Sequence, residues 1–203
     1  MLLDFIEVEN FFDDPDEILK IAKQQTFVEK DAHYHSVNMK TYYNGVRSKG
    51  VSDIDPALHT KICEQLSKKV VETRFGNDVT KTKMNSSFNA QIYFHIMREQ
   101  DIFQETWKHK DDESILAGVI YLNPQPKPES GTIVHRYGDD KEPVIVENKY
   151  NKMVLYNASF LHAPQCGFGT DINDCRLTLV FFINQIGFNV ITEHFLASTQ
   201  SGA

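Results

Sequence analysis

The spacing of apolar residues changes period near residue 85, and that change divides the chain. Before it the spacing is helical. Ile18, Leu19, Ile21 and Ala22 follow Asp14-Pro15-Asp16-Glu17, which predicts a helix with Asp14 as N-cap and Pro15 at its first position. That helix should end before Val28. A second helix is predicted after Asp55-Pro56, where Leu58, Ile62, Leu66 and Val70, with Val71 beside it, form a stripe repeating every four residues. Between the two helices, Thr41-Tyr42-Tyr43-Asn44-Gly45-Val46-Arg47 reads as a loop.

Beyond residue 85 the period is two. Phe88, Ala90, Ile92, Phe94 and Ile96 fall on one face of a strand, and Asn89, Gln91, Tyr93 and His95 on the other. Such a strand is either half exposed, or packed on helices by its apolar face while its polar face lines a cavity. Further strands are predicted at 115–122, 131–135, 144–146, 152–156 and 176–183, separated by Pro, Gly, Asn and Asp clusters. Helices first and strands afterwards argue against alternating βαβ units. The expectation is a mainly β chain with N-terminal helices, a β-sandwich with the helices packed on one sheet. It is expected to form one domain over 1–203, with 1–84 as a helical support and 85–190 as the β core.

Composition narrows the classes. With 21 basic and 28 acidic residues the net charge is −7, which disfavours a phosphate backbone. Lys68-Lys69 and Lys81-Thr82-Lys83 are the densest basic stretches and read as a solvated helix face and turn. The amino terminus lacks the basic start and apolar run of a secretion signal, and no uncharged stretch approaches membrane-spanning length. Cys63, Cys166 and Cys175 are odd in number and form no CxxC pair, against a disulfide framework or a thiolate zinc site. A cytoplasmic protein with no nucleic-acid or membrane partner is expected.

Three elements carry candidate chemistry. In Trp107-Lys108-His109-Lys110-Asp111, an extended backbone would point His109 and Asp111 the same way, so imidazole and carboxylate could grip one cation. Alone, the pair is a weak signal and reads more readily as an exposed polar loop. His162 follows an apolar strand and precedes Ala163-Pro164; alone it reads equally as a strand-end histidine. Two histidines and one carboxylate together match the facial triad of non-haem iron. Arg176 and Thr178 share one face of an apolar strand, with Val180 and Phe182 beyond. A buried arginine needs an anion, either a bound carboxylate or an internal partner such as Asp174.

In this order the motifs resemble the 2-oxoglutarate/Fe(II) oxygenases, specifically the prolyl-hydroxylase-like branch and its small bacterial and phage members. The stretches that match are His109-Lys110-Asp111, Ala117 through Tyr121-Leu122-Asn123, Ser130-Gly131-Thr132, Phe160-Leu161-His162 and Arg176-Leu177-Thr178. Phe11 to Glu17 and Gly45-Val46-Arg47-Ser48 also resemble amino-terminal stretches of small members, so the likeness runs from about residue 5 to 185. It implies a double-stranded β-helix (jelly roll, cupin-like). It also implies Fe(II) on His109, Asp111 and His162, with 2-oxoglutarate and O2 as cosubstrates and ascorbate as a reductant. Arg176 and Thr178 would hold the distal carboxylate of 2-oxoglutarate, with Tyr121 donating its hydroxyl to it. Halogenating members replace the carboxylate ligand by a small residue, so Asp111 points to hydroxylation. The fourteen-residue step from His162 to Arg176 exceeds that of many relatives, through an enlarged turn at 167–174.

The substrate is less legible. Prolyl or other residues of a peptide or protein are the natural analogy, with a small molecule as the alternative, since a fold does not fix a substrate. The polar face of 89–95, the segment His33-Tyr34-His35 and the loop 42–47 are candidate cavity walls. His135 is a strand-end histidine and 138–143 a solvated loop or lid. The competing classes are a jelly-roll module that binds metal without turnover, a cupin-like metalloenzyme lacking the diacid, and a structural jelly roll of the capsid type.

Overall fold

The computed structural model describes residues 4–29, 43–75, 83–101, 108–138 and 141–191. His33, Tyr34, His35, Tyr42, Lys81, Thr82, Trp107, Asp139 and Asp140 lie outside them. Helix α1 spans Pro15–Lys23, and Asp14 Oδ1 accepts the Glu17 backbone N–H at 3.1 Å, as the capping signal predicts. Acidic Asp16 and Glu17 sit at its positive end and Lys20 and Lys23 at its negative end. Replacing Asp14 by Ala is expected to cost about 1 kcal/mol, lowering the melting temperature by roughly 2–4 °C. Asn at the same position should restore it; circular dichroism melting checks both.

A short helix, α2 (Val51–Ile54), leads into α3 (Pro56–Phe75), whose stripe Leu58, Ile62, Leu66 and Val70 is buried as the fourfold spacing requires. Lys68 and Lys69 lie on its other side within reach of Glu72, at 3.8 and 3.6 Å, a solvated face.

The strands are β1 (Phe5–Val8), β2 (Val28–Glu29), β3 (Val46–Gly50), β4 (Lys83–Met97), β5 (Leu116–Tyr121), β6 (Thr132–His135), β7 (Val144–Val146), β8 (Met153–Asn157), β9 (Leu161–Pro164) and β10 (Arg176–Ile191). Seven form a major sheet in the order β1-β8-β5-β10-β4-β3-β2; three form a minor sheet, β7-β6-β9. All pairs are antiparallel. This is a jelly roll with helices on the major sheet. The outer face of that sheet, with Phe88, Ala90, Ile92, Phe94 and Ile96 of β4, shares one core with α1 and α3. Its inner face, with Tyr93, Val119, Tyr121, Tyr156 and Val180, shares a second with Val134 and Val146 of the minor sheet. Period two therefore does sort β4 between helices and interior.

Two expectations need correction. Val46 and Arg47, read as loop, belong to β3 because they pair with Ile96 and His95 of β4, a long-range ladder that no local signal announces. Asn89 and Gln91 are exposed, so only the Tyr93–His95 end of the polar face turns inward. The three cysteines are free thiols. Among the described residues, no helix is long and apolar enough to cross a membrane.

Candidate metal centre and cosubstrate cavity

The first metal-site segment is placed by backbone pairing. His109 and His162 exchange both N–H···O=C bonds, at 3.1 and 3.0 Å, across an antiparallel bridge, and Asp111 N–H donates to the Ala158 carbonyl at 2.9 Å. Residues directly opposite in such a pair present their side chains on one face, and a residue two further along shares it. Geometry alone thus brings His109, Asp111 and His162 together; one ligand atom from each lies within 4.8 Å of the others. His109 Nε2 is 3.7 Å from Asp111 Oδ1, and His162 Nε2 is 3.2 Å from Asp111 Oδ2. The side chain of His109 is the most open of the three, 39% exposed against 11% for Asp111 and 6% for His162.

Tautomer sharpens the chemistry. His162 Nδ1 lies 3.0 Å from the Phe160 carbonyl, which accepts its proton. Nε2 is then the ring atom that faces Asp111 Oδ2, a buried oxygen with no well-formed hydrogen bond among the described residues. Were Nε2 without a proton, its lone pair and the carboxylate oxygen would repel at that distance unless a cation lay between them. Burial pushes the Asp111 carboxyl up, but His162, His109 and Arg47 outweigh it and hold it below its ordinary value, so the carboxylate is charged. Two imidazole nitrogens and one carboxylate suit a divalent transition metal, iron(II) among them.

Arg176 points into the same interior and is 2% exposed. Its Nε–H donates to the Ser130 carbonyl at 2.7 Å and Nη2 to the Gly131 carbonyl at 3.3 Å, while Nη1 faces Met97 Sδ at 3.7 Å. These partners orient the fork without neutralising it, and the enlarged turn folds away: Asp174 Oδ1 accepts the Thr170 and Asp171 N–H groups. Gly131 is required here, because a Cβ would stand 1.8 Å from the Val146 carbonyl oxygen. Asn123 fixes the strand around the arginine. Its amide donates to Cys175 O at 2.7 Å and accepts from Leu177 N–H at 2.9 Å, gripping both neighbours of Arg176.

Tyr121 and Thr178 share the inner face with Arg176 but sit deeper, fully buried and behind the cavity wall. Tyr121 donates its hydroxyl to Thr132 Oγ1 at 2.7 Å, and Thr178 Oγ1 faces the His95 carbonyl at 3.4 Å. Because Thr132 accepts from Tyr121, its own O–H remains to donate, and Thr132 does line the cavity. Sequence reasoning included Thr132 in a motif without giving it a role.

The cavity has a volume of about 530 Å³ and reaches from the His109, Asp111 and His162 cluster to Arg176, with Tyr43, Asn44, Arg47, His95 and Tyr156 among its walls. His135 is buried at the end of β6 and does not line it. Burial, then the nearby Arg47, hold His95 well below the ordinary imidazole value, so it is neutral. Burial, then the Asp111 charge, keep the Tyr156 phenol protonated; its ring lies 4.6 Å from that of His162.

No known sequence family profile matches the chain, and no curated protein is similar to it in sequence. Solved structures are similar to it in fold. One is a 2OG-Fe(II) oxygenase family oxidoreductase from Burkholderia pseudomallei, 12% identical over 89% of this chain and 84% of that one, with a TM-score of 0.56. The chain has the 2OG-Fe(II) oxygenase fold. Two prolyl hydroxylases share that fold. The Pseudomonas putida prolyl-4-hydroxylase is 13% identical over 90% of this chain and 93% of that one, and the Trichoplax adhaerens enzyme, solved with a hypoxia inducible factor peptide, is 10% identical over 89% and 83%; both have a TM-score of 0.52. Within this oxygenase fold, the His109, Asp111 and His162 cluster is a set that could hold a metal.

Proposed function

We infer that this chain is an Fe(II)- and 2-oxoglutarate-dependent dioxygenase that hydroxylates a substrate C–H. The observation that carries this reading is the pairing, in one cavity, of a converging His-Asp-His cluster with a buried Arg176 whose partners among the described residues are neutral. His109, Asp111 and His162 would hold the iron. Arg176 would receive the distal carboxylate of 2-oxoglutarate, joined by the Thr132 hydroxyl, with Tyr121 and Thr178 supporting that wall from behind. When bound, iron and 2-oxoglutarate supply the oxidation: O2 is consumed, 2-oxoglutarate yields succinate and carbon dioxide, and one oxygen atom enters the substrate as hydroxyl. Ascorbate would keep the iron reduced.

The chain's own residues orient and shield. Met97, Val119, Val180 and Phe182 give the cavity an apolar lining that limits water around the reacting C–H. Asp111 occupies the carboxylate position that halogenating relatives vacate, which supports hydroxylation. Among the described residues Arg176 has no carboxylate partner, which favours this reading over a cupin-like enzyme lacking the diacid.

Succinate formation tests the function, measured with prolyl peptides, free amino acids and nucleosides in separate arms. One class is expected to stimulate succinate production above the uncoupled background and to gain one oxygen atom. An iron-loaded, folded protein forming no succinate in any arm would instead be a metal-binding module without turnover. Tyr121 is assigned a positioning role through Thr132. Tyr121→Phe is expected to raise the KM for 2-oxoglutarate roughly 2- to 10-fold, the worth of one ordinary hydrogen bond, with kcat little changed and the melting temperature lower by no more than about 6 °C.

A further inference from the structure

We propose that the cavity receives a substrate bearing a single carboxylate on an apolar body, and that Arg47 and Asn44 bind that carboxylate. The inference rests on the dioxygenase reading for the charges of metal and cosubstrate. Arg47 is 7% exposed and lines the cavity. Its guanidinium carbon lies 4.0 Å from the centre of the Tyr43 ring, with Phe182 at 5.2 Å and Tyr93 at 5.6 Å. Three rings from β3's approach, β4 and β10 therefore hold the plane of the fork, but they cannot accept its in-plane N–H groups. Nε has no hydrogen-bond partner, and the carboxylate whose charge reaches it is Asp111, already committed to the two imidazoles.

Asn44 supplies a second donor. Its side-chain Nδ2 is buried without a partner, and it lines the same cavity. The backbone here is rigid: the Asn44 carbonyl accepts from His95 Nε2, and Gly45 turns with φ +78°, where a Cβ would stand 2.0 Å from the Ile96 carbonyl oxygen. Buried donors are rarely left unpaired, and the two residues that carry these donors line one cavity, so an acceptor that arrives there with a ligand would complete them. A carboxylate matches a planar guanidinium fork.

Charge counting sets the valence. Among the described residues, the enclosed groups of fixed charge are Arg47, Arg176 and Asp111, for a sum of +1, and the His95 imidazole and the Tyr43 phenol are held neutral by burial. Lys108 also lines the cavity but is partly exposed, so solvent screens it. Iron(II) and the 2-oxoglutarate dianion cancel. The charge left over is that of Arg47, which a monoanion neutralises. The remaining wall, Met97, Val119, Ala163, Pro164, Val180 and Phe182, suits an apolar body, and about 530 Å³ leaves room for a small molecule beside the cosubstrate. Two sources share this chemistry: a free amino or acyl-amino acid, and the C-terminal residue of a peptide.

Calorimetric titration of the protein loaded with manganese(II) and 2-oxoglutarate tests it. The probes are apolar amino acids, their N-acetyl derivatives and short peptides with free C-termini, each beside its C-terminal amide. Free acids are expected to bind at least about 10-fold tighter than amides, the worth of hydrogen bonds to a charged group; the tighter of the acid and peptide arms names the source. Arg47→Gln should erase the preference for acids while 2-oxoglutarate affinity stays within about twofold, and Arg47→Lys, which keeps the charge should the Gln variant fold poorly, should retain part of it. Equal binding of acids and amides, no binding of any acid, or an Arg47→Gln variant that still discriminates would overturn the proposal. So would loss of 2-oxoglutarate binding in Arg47→Gln, which would make Arg47 a cosubstrate residue. Acid selectivity that depends on Arg47 in a protein that forms no iron–2-oxoglutarate complex would sink the dioxygenase reading and leave the carboxylate site standing.

Discussion

Replacing His162 by alanine is expected to weaken divalent metal binding by more than about 100-fold, because loss of a group that merely orients a ligand already costs about 10–100-fold. The fold should survive. The backbone bonds that join His162 to His109 need no side chain. The effect is therefore expected in the metal response and not in the metal-free protein. Metal at about 100 times Kd adds about 2.7 kcal/mol of stability, which for a chain of this size raises the melting temperature by roughly 5–10 °C. His162→Ala should lose that increment at the same manganese(II) concentration. Thermal melts with and without metal check it, and a variant that keeps the full shift would remove His162 from the metal site.

Arg176→Met is the second large effect, and it falls on the cosubstrate alone. Truncating one partner of a buried, hydrogen-bonded charge pair costs about 2–5 kcal/mol, which corresponds to an affinity for 2-oxoglutarate lower by roughly 30-fold to a few thousandfold. Metal affinity should be unchanged, since Arg176 makes its contacts to Ser130, Gly131 and Met97 and not to the His-Asp-His cluster. Methionine replaces the aliphatic stem in volume, so the wall against Tyr121 stays filled. Titration of the manganese(II)-loaded variant with 2-oxoglutarate separates the readings: a cupin-like site with no diacid would show no difference from the parent.

Much of this arrangement was legible because its signals are local. The Asp14 cap, the fourfold stripe of α3 and the alternation of β4 each follow from neighbours in sequence, and each appears where the pattern puts it. The His109, Asp111, His162 and Arg176 order was legible for a different reason, as a resemblance spread over distant motifs. What escaped was set by partners remote in sequence. The polar run Arg47-Ser48-Lys49 has no strand signature and becomes β3 only by pairing with β4. The Tyr121 hydroxyl could have faced the cavity on period-two grounds, yet Thr132 of the opposite sheet accepts it first. The unpaired Nε of Arg47 sits among rings from three separate segments, a convergence that no window of sequence displays.

Anaerobic titration of the intact protein, first with iron(II) and then with 2-oxoglutarate, bears most directly on the site. The expected result is a visible metal-to-ligand charge-transfer band that saturates at one iron and one 2-oxoglutarate per chain, and that is absent from His109→Ala and His162→Ala. A protein that binds iron(II) stoichiometrically but develops no band with 2-oxoglutarate, or whose band persists in both variants, would contradict it.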